Sequence, residues 1–439
     1  MSLPSHSLPF PSPPLPSAGP QTLDPRVYVR DHQWPRPRGV FTKRSKNGEV
    51  ALQLGAQEEG TSYPVYGSGA RIEGAVLVQR TDGARSVEVK MEGKLRLKEM
   101  GEGGTSSVRL CLESTLLWIR DPQHAECPAS LPFRFQLPST FEAEGRTYPL
   151  PPSHTVKLSG LPGFFANIEY TLIATLHRPP SGPNLPLVKS SFLGISPGTI
   201  TVSTPFLYYP RTRPPDPLPH ALPLFRHGFR SVPEWKCHDA LIEPQSAGGI
   251  QSIAVKLYLP TARVFSITQK IPFHLSFHST SHTLAMFLPV GPTAHFLSGK
   301  RPTRLQLLRQ SAVDVRNATG MGTKTDMWRV DRIGEATFRH AGDGPTWSAF
   351  SGAISIENGT SVPGFRAAGL SIKDCIVLSV SPPDSHRSPF NELRQTIPVR
   401  LTTDAWTDDP PPPPSYVPHF SPPPGLVADN HLSMGPITT

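Results

Sequence analysis

Four cysteines in 439 residues, at positions 111, 127, 237 and 375, are too few and too dispersed for a disulfide framework. None belongs to a C-x-x-C pair, so a thiolate zinc site has no basis, and reduced thiols are the expected state. Charge is scarce as well: Asp, Glu, Lys and Arg make up 18% of the chain, against about 25% in ordinary globular proteins. The carboxylates are scattered, and no pair falls into an evident common cleft for acid–base chemistry. There is no G-x-S-x-G elbow and no cysteine in a recognisable catalytic context. The chain therefore reads as a non-enzyme that needs no cofactor. Uninterrupted apolar runs of the ~20 residues that span a bilayer are missing too. The nearest stretch, residues 190–209, is broken by Pro197, Gly198 and Pro205. The first thirty residues lack the basic head and apolar core of a secretory signal, so a cytoplasmic location is expected. The sequons at Asn317 and Asn358 are then expected to stay unmodified.

Two apparent motifs dissolve on inspection. Gly67-Ser-Gly69 lacks the further glycine of a phosphate loop and precedes a strand pattern instead of a helix, so it reads as a tight turn. Among sixteen histidines, His274, His278 and His282 invite a metal reading. On a strand, His274 and His278 would stand about 13 Å apart at ~3.3 Å per residue. Zinc needs donors at about 2.1 Å, so no metal site is expected and solvent-facing polar positions explain them. The formal charge of +9 comes from 43 basic and 34 acidic residues spread along the chain. It suits contact with anionic membrane surfaces or acidic partners. No dense Lys/Arg stripe interleaved with aromatics argues for nucleic acid.

Proline is abundant: 54 residues, about twice the usual ~5% share. The prolines cluster at the N-terminus, near 179–223, near 381–398 and after 408, a pattern of ordered blocks joined by stiff segments. Between clusters, the periodicity is two. Val87, Val89, Met91, Leu95 and Leu97 alternate with Glu88, Lys90, Glu92, Lys94, Arg96 and Lys98, with Gly93 on the apolar row. Such alternation predicts a strand with one dry and one wet face, in an antiparallel sheet. The rows Ile168–Leu176, Ile253–Leu259 and Ile271–Phe277 repeat the pattern, and Val108–Ile119 and Cys375–Val380 are further strand candidates. Helical periodicity is faint; its best instance, Arg304–Val315, reads equally as strand. The fold class expected is all-β, in sandwiches of ~100–200 residues, hence two of them.

The most specific motif lies near the end, in Asp409-Pro-Pro-Pro-Pro-Pro-Ser-Tyr-Val-Pro. Proline rings fix φ and remove backbone donors, which leaves a preformed polyproline II segment. Aromatic-lined grooves of WW domains grip such segments, and Pro413, Pro414 and Tyr416 make a Pro-Pro-x-Tyr core with a ring as second anchor. Pro422-Pro-Pro-Gly lacks the tyrosine, and a lone motif gives no avidity. Pro11-Ser-Pro-Pro-Leu-Pro16 holds overlapping P-x-x-P patterns. Ser381, Ser388 and Ser421 precede prolines and are candidate phosphorylation positions.

Val65–Val78 with the strand Val87–Leu97, Leu131–Pro138 and Phe164–Leu172 together resemble an N-terminal arrestin domain. Ile253–Pro260, Ile271–Phe277 and Ile397–Thr403 are similar to a C-terminal one. The resemblance covers roughly residues 26–403 and is nearest to the fungal α-arrestins, the arrestin-related trafficking adaptors. It implies two arrestin-like, immunoglobulin-type β-sandwich domains, 25–180 and 229–404, joined by a Pro-rich linker with a strand of its own, 181–228. Disordered Pro-rich tails, 1–24 and 405–439, would flank them. It also implies a function: Pro413, Pro414 and Tyr416 recruit a WW-domain ubiquitin ligase of the HECT class to the cytosolic segments of membrane transporters or receptors. Ubiquitination and endocytosis would follow, with recruitment to the plasma membrane or endosomes. The alternative is an arrestin-fold sorting scaffold that works without a ligase.

Overall fold

The computed structural model describes residues 28–29, 39–100, 104–161, 163–179, 198–245, 249–294, 301–316, 324–382 and 388–407. These residues are almost entirely β. A four-stranded antiparallel sheet runs in the order Gly39–Arg44, Val50–Gln57, Arg71–Val78, Ser130–Gln136. Opposite it lies a six-stranded sheet centred on Gly163–His177. That strand pairs with Ser86–Met100 on one side and with His154–Leu158 and Thr199–Tyr208 on the other. Thr105–Ile119 closes one edge, and Val65–Tyr66 runs parallel to Thr199–Tyr208 at the other.

The alternation read from the sequence fixes which faces meet. Leu52, Leu54, Ile72, Val76, Phe133 and Phe135 come from the smaller sheet. Val87, Val89, Met91, Leu95, Leu97 and the row Ile168–Leu176 come from the larger, and together they form one core. Tyr170 sits in its middle, with ring centroids 5.6 Å from Phe206 and 5.5 Å from Tyr208. Its hydroxyl donates to the Pro151 carbonyl at 2.6 Å, which removes the penalty of burying a phenol.

The second half is one large sheet that curls around its own core. Its strand order is Trp235–Ile242, Ile253–Pro260, Ile271–His278, Trp347–Ile356, Lys324–Gly344, Thr303–Arg316, Leu370–Val380, Leu393–Thr402 and Val264–Ser266. The last of these runs parallel to Leu393–Thr402, and Arg366–Ala367 pairs with Leu370–Val380. Curling brings the two ends together: Pro244 bridges to Phe390, and the Gln395 side chain donates to the Asp239 carbonyl at 3.0 Å. The Asn391 amide also donates to the Glu243 carbonyl at 2.9 Å. Arg400 turns its amide away from Leu370–Val380, donating to Arg263 at 2.9 Å. Pro398, two residues earlier, therefore turns its nitrogen, which carries no hydrogen, away from Leu370–Val380 as well.

Arg304–Val315, the stretch with the faint helical period, is strand. The described residues contain one α-helix, Ser281–Phe287, whose Thr280 side chain caps the Thr283 amide. Within the span expected as linker, Thr199–Tyr208 is a strand of the first sheet pair. Residues 214–234 then lie against the outer face of the second sheet, burying Leu222 beside Trp235 and Tyr258.

Candidate functional site

Pro413, Pro414 and Tyr416 lie outside the described residues. The described chain ends at Thr407, six positions before Pro413, and the structure does describe how the body holds the root of that segment. Leu393–Thr402 is a strand up to its last residue, because β-branched threonines suit extended backbone and Thr402 and Thr403 are fully buried. Their hydroxyls are then obliged to find partners. Thr402 Oγ1 lies 3.3 Å from the Phe265 carbonyl and 3.1 Å from that of Asp404. Thr403 Oγ1 accepts from the Thr212 amide at 2.8 Å and donates to the Thr212 carbonyl at 3.0 Å. The Asp404 amide donates to the same carbonyl at 2.9 Å.

Arg211 completes the clamp. Its guanidinium grips the Asp404 carboxylate, with Nε 3.2 and 3.0 Å from the two oxygens and Nη2 on Oδ1. Both side chains are only 19% exposed, so this pair is screened less than a surface ion pair. The Tyr209 phenol is pushed up, first by burial and then by the neighbouring Asp404 charge, against which Arg211 acts. Thr212–Arg213 also pairs antiparallel with Tyr28–Val29. Three remote stretches of chain thus converge: 28–29, 211–213 and 403–404. Sequence reasoning did not find this junction, since nearly two hundred residues separate Arg211 from Asp404 and neither sits in a periodic pattern.

The histidines need a correction. His274 is buried, because residues 214–234 cover the face expected to meet solvent. Its Nε2 accepts from the Leu222 amide at 3.0 Å and its Nδ1 lies 2.8 Å from Ser351 Oγ. Phe229 and Trp235 flank the ring at 4.7 and 4.6 Å. Desolvation lowers its pKa to about 4, so the imidazole is neutral at physiological pH. His278, half-buried, bonds Ser276 Oγ at 2.9 Å. Gly69 has φ of 60° in the turn before Arg71–Val78, in line with the turn reading. The four thiols are free, and burial pushes Cys111 up to about 12, away from nucleophilic use.

One further surface stands out. Thr105–Ile119 is the end strand of its sheet, and it exposes Leu112 (45%) and Leu116 (54%). An edge strand with bare apolar side chains is a template for another extended chain. No helix among the described residues is long and apolar enough to cross a membrane.

No family model matches the chain, and no curated protein matches it. What the fold defines is a class: an all-β protein of curled and facing sheets.

Proposed function

We propose that the chain is a non-catalytic adaptor that brings a WW-domain ubiquitin ligase of the HECT class to membrane cargo. Ubiquitination and endocytosis of that cargo are the outcome. The observation that carries this reading is the Pro413-Pro414-Ser415-Tyr416 core, nine residues after an Asp404 that the body clamps. A preformed proline segment adjoining a folded, all-β body is what a tethering function requires: one end engages the ligase, the other the client. The exposed edge strand Thr105–Ile119 is the surface offered for cargo, through strand addition to the cytosolic segment of a transporter or receptor. The protein then acts in the cytoplasm and at the plasma membrane or endosomes where its cargo resides.

The test is capture of the full-length chain on an immobilised WW domain of the Pro-Pro-x-Tyr-binding class. Tyr416→Ala is expected to abolish capture, since the ring fills one of the aromatic-lined slots. Equal capture of wild type and variant would favour a sorting scaffold that works without a ligase and overturn the proposal.

A further inference from the structure

The segment laid over the outer face of the second sheet carries a hairpin whose tip is bare. Leu224–Phe225 pairs antiparallel with Gly228–Phe229, so Arg226 and His227 alone form the turn. The hairpin is held down at several points. Trp347 Nε1 donates to the Arg226 carbonyl at 3.0 Å, and Trp235 Nε1 donates to the His220 carbonyl at 2.9 Å. The Leu222 amide donates to His274, and the Phe229 ring packs against His274 and Tyr258 with centroids 4.7 and 5.9 Å away. Yet Leu224 and Phe225 are 37% and 51% exposed, and Pro223, Arg226, His227 and Arg230 around them are exposed as well. A single exposed leucine is ordinary. A pinned tip that keeps two large apolar side chains in water displays them.

The charge around the tip has one sign. Between Asp216 and Glu234 the chain holds no carboxylate, and its charged residues are Arg226 and Arg230, with His220 and His227 beside them. Neither arginine meets a carboxylate among the described residues. Gly342, where a Cβ would lie 2.9 Å from Leu224, precedes Asp343, but that carboxylate is bonded to His340 Nε2 at 2.8 Å. We propose that the hairpin Leu224–Phe229 is a membrane-docking finger. It sets Leu224 and Phe225 into the headgroup boundary of an anionic leaflet, while Arg226 and Arg230 meet the lipid phosphates. The combination selects this occupant. An apolar tip alone would suit a protein groove and arginines alone an acidic segment, whereas an anionic lipid interface takes both within a residue of each other. A contact of this size is weak by itself, which suits a protein that must find clients in a membrane and leave again. The inference goes beyond the adaptor reading and needs nothing of Pro413–Tyr416.

The experiment is sedimentation of the full chain with vesicles of phosphatidylcholine alone and of phosphatidylcholine mixed with phosphatidylserine. The wild type is expected to bind the mixed vesicles and not the neutral ones, and less strongly as salt is raised. Phe225→Ser should weaken binding at least about tenfold, and Arg226→Gln and Arg230→Gln about fivefold each. None of the anchoring bonds uses the Phe225 side chain, so Phe225→Ser should keep the wild-type urea midpoint. Phe225→Trp supplies a second reading: affinity is kept, and brominated lipid in the vesicles quenches the added indole beyond any quenching of the wild type. Equal binding of wild type and Phe225→Ser, or no extra quenching in Phe225→Trp, would overturn the proposal. So would a chain that ignores the mixed vesicles and instead binds polyglutamate through the same arginines, which would assign the tip to an acidic protein partner. Capture on a WW domain is measured without lipid, so failure here leaves the adaptor reading to its own test.

Discussion

Gly93 stands where the alternating row of Ser86–Met100 should present an apolar side chain, and its neighbour explains the gap. Gly93 pairs with Tyr170 across the sheet, and a Cβ there would lie 2.7 Å from the Tyr170 ring and 2.8 Å from Cys111 Sγ. The ring occupies the volume that the missing side chain leaves. Because Tyr170 is locked by its bond to Pro151 and by Phe206 and Tyr208, it has nowhere to move. Gly93→Ala is therefore expected to destabilise the fold by about 1–3 kcal/mol, read as a lowered urea midpoint. An unchanged midpoint would mean that the ring relaxes freely. His274 supplies a second residue-scale expectation, through pH. Its unfolded pKa is about 6.5 and its folded value about 4, so between those values the unfolded chain binds the extra proton. Stability from the neutral imidazole is complete above about 6.5 and declines as pH falls toward 4, by on the order of 3 kcal/mol. His154, also lowered to about 4 by burial and then by Arg309, adds a loss of the same sign. Urea titrations at pH 7 and pH 4.5 should show a smaller acid loss in His274→Gln than in wild type; equal losses would count against the assignment.

Strands with one alternating apolar row were legible in the sequence, and strands whose polar residues pair with each other were not. Val87–Leu97, Ile168–Leu176, Ile253–Leu259 and Ile271–Phe277 all lie within observed strands, because an apolar row facing a core imprints a period of two, even in Ile271–Phe277, whose other face buries His274 and Ser276. Lys324–Gly344, the longest strand, escaped notice. It mixes Ile333 and Ala336 with Arg329, Asp331, Arg332 and Glu335, and satisfies those charges among themselves: Arg329 on Asp331, Arg332 on Glu335 and Glu357. Periodicity carries no signal of such pairing. The polar interior was equally hidden. Arg309 and Asp374 face each other on adjacent strands with two bonds of 2.8 and 3.0 Å, and their side chains are 9% and 1% exposed. They lie between Leu305 and Leu307 in one core and Val313 in the other. Removing one charge from a buried bidentate pair leaves the other without a counterion. Asp374→Asn should cost about 3–5 kcal/mol; chemical denaturation that finds less than about 1 kcal/mol would show that solvent reaches Arg309.

At the scale of the whole molecule, the two cores share strands. Thr303–Arg316 and Leu370–Val380 contribute to both: Leu305, Leu307, Ile376 and Leu378 to the second core, Val313, Leu370 and Ile372 to the first. The seam is tight elsewhere too. A Cβ on Gly369 would lie 2.9 Å from Leu97, His154 stacks edge-on against Phe365 at 5.4 Å, and Arg329 donates to the Lys157 carbonyl. Proline density suggested where the chain passes from one half to the other, but local composition holds no record of which distant strands share an interior. That sharing has a thermodynamic consequence. Where strands are common to two cores, neither can lose its packing without exposing part of the other, so unfolding should be coupled. Scanning calorimetry of the full chain is expected to give one endotherm, where two independent sandwiches would give two. Asp374→Asn, which weakens the strands that both cores use, should move that endotherm to lower temperature as a unit. Two resolved transitions in the wild type, only one of them displaced by the substitution, would show that each core melts alone and that the shared strands do not couple them.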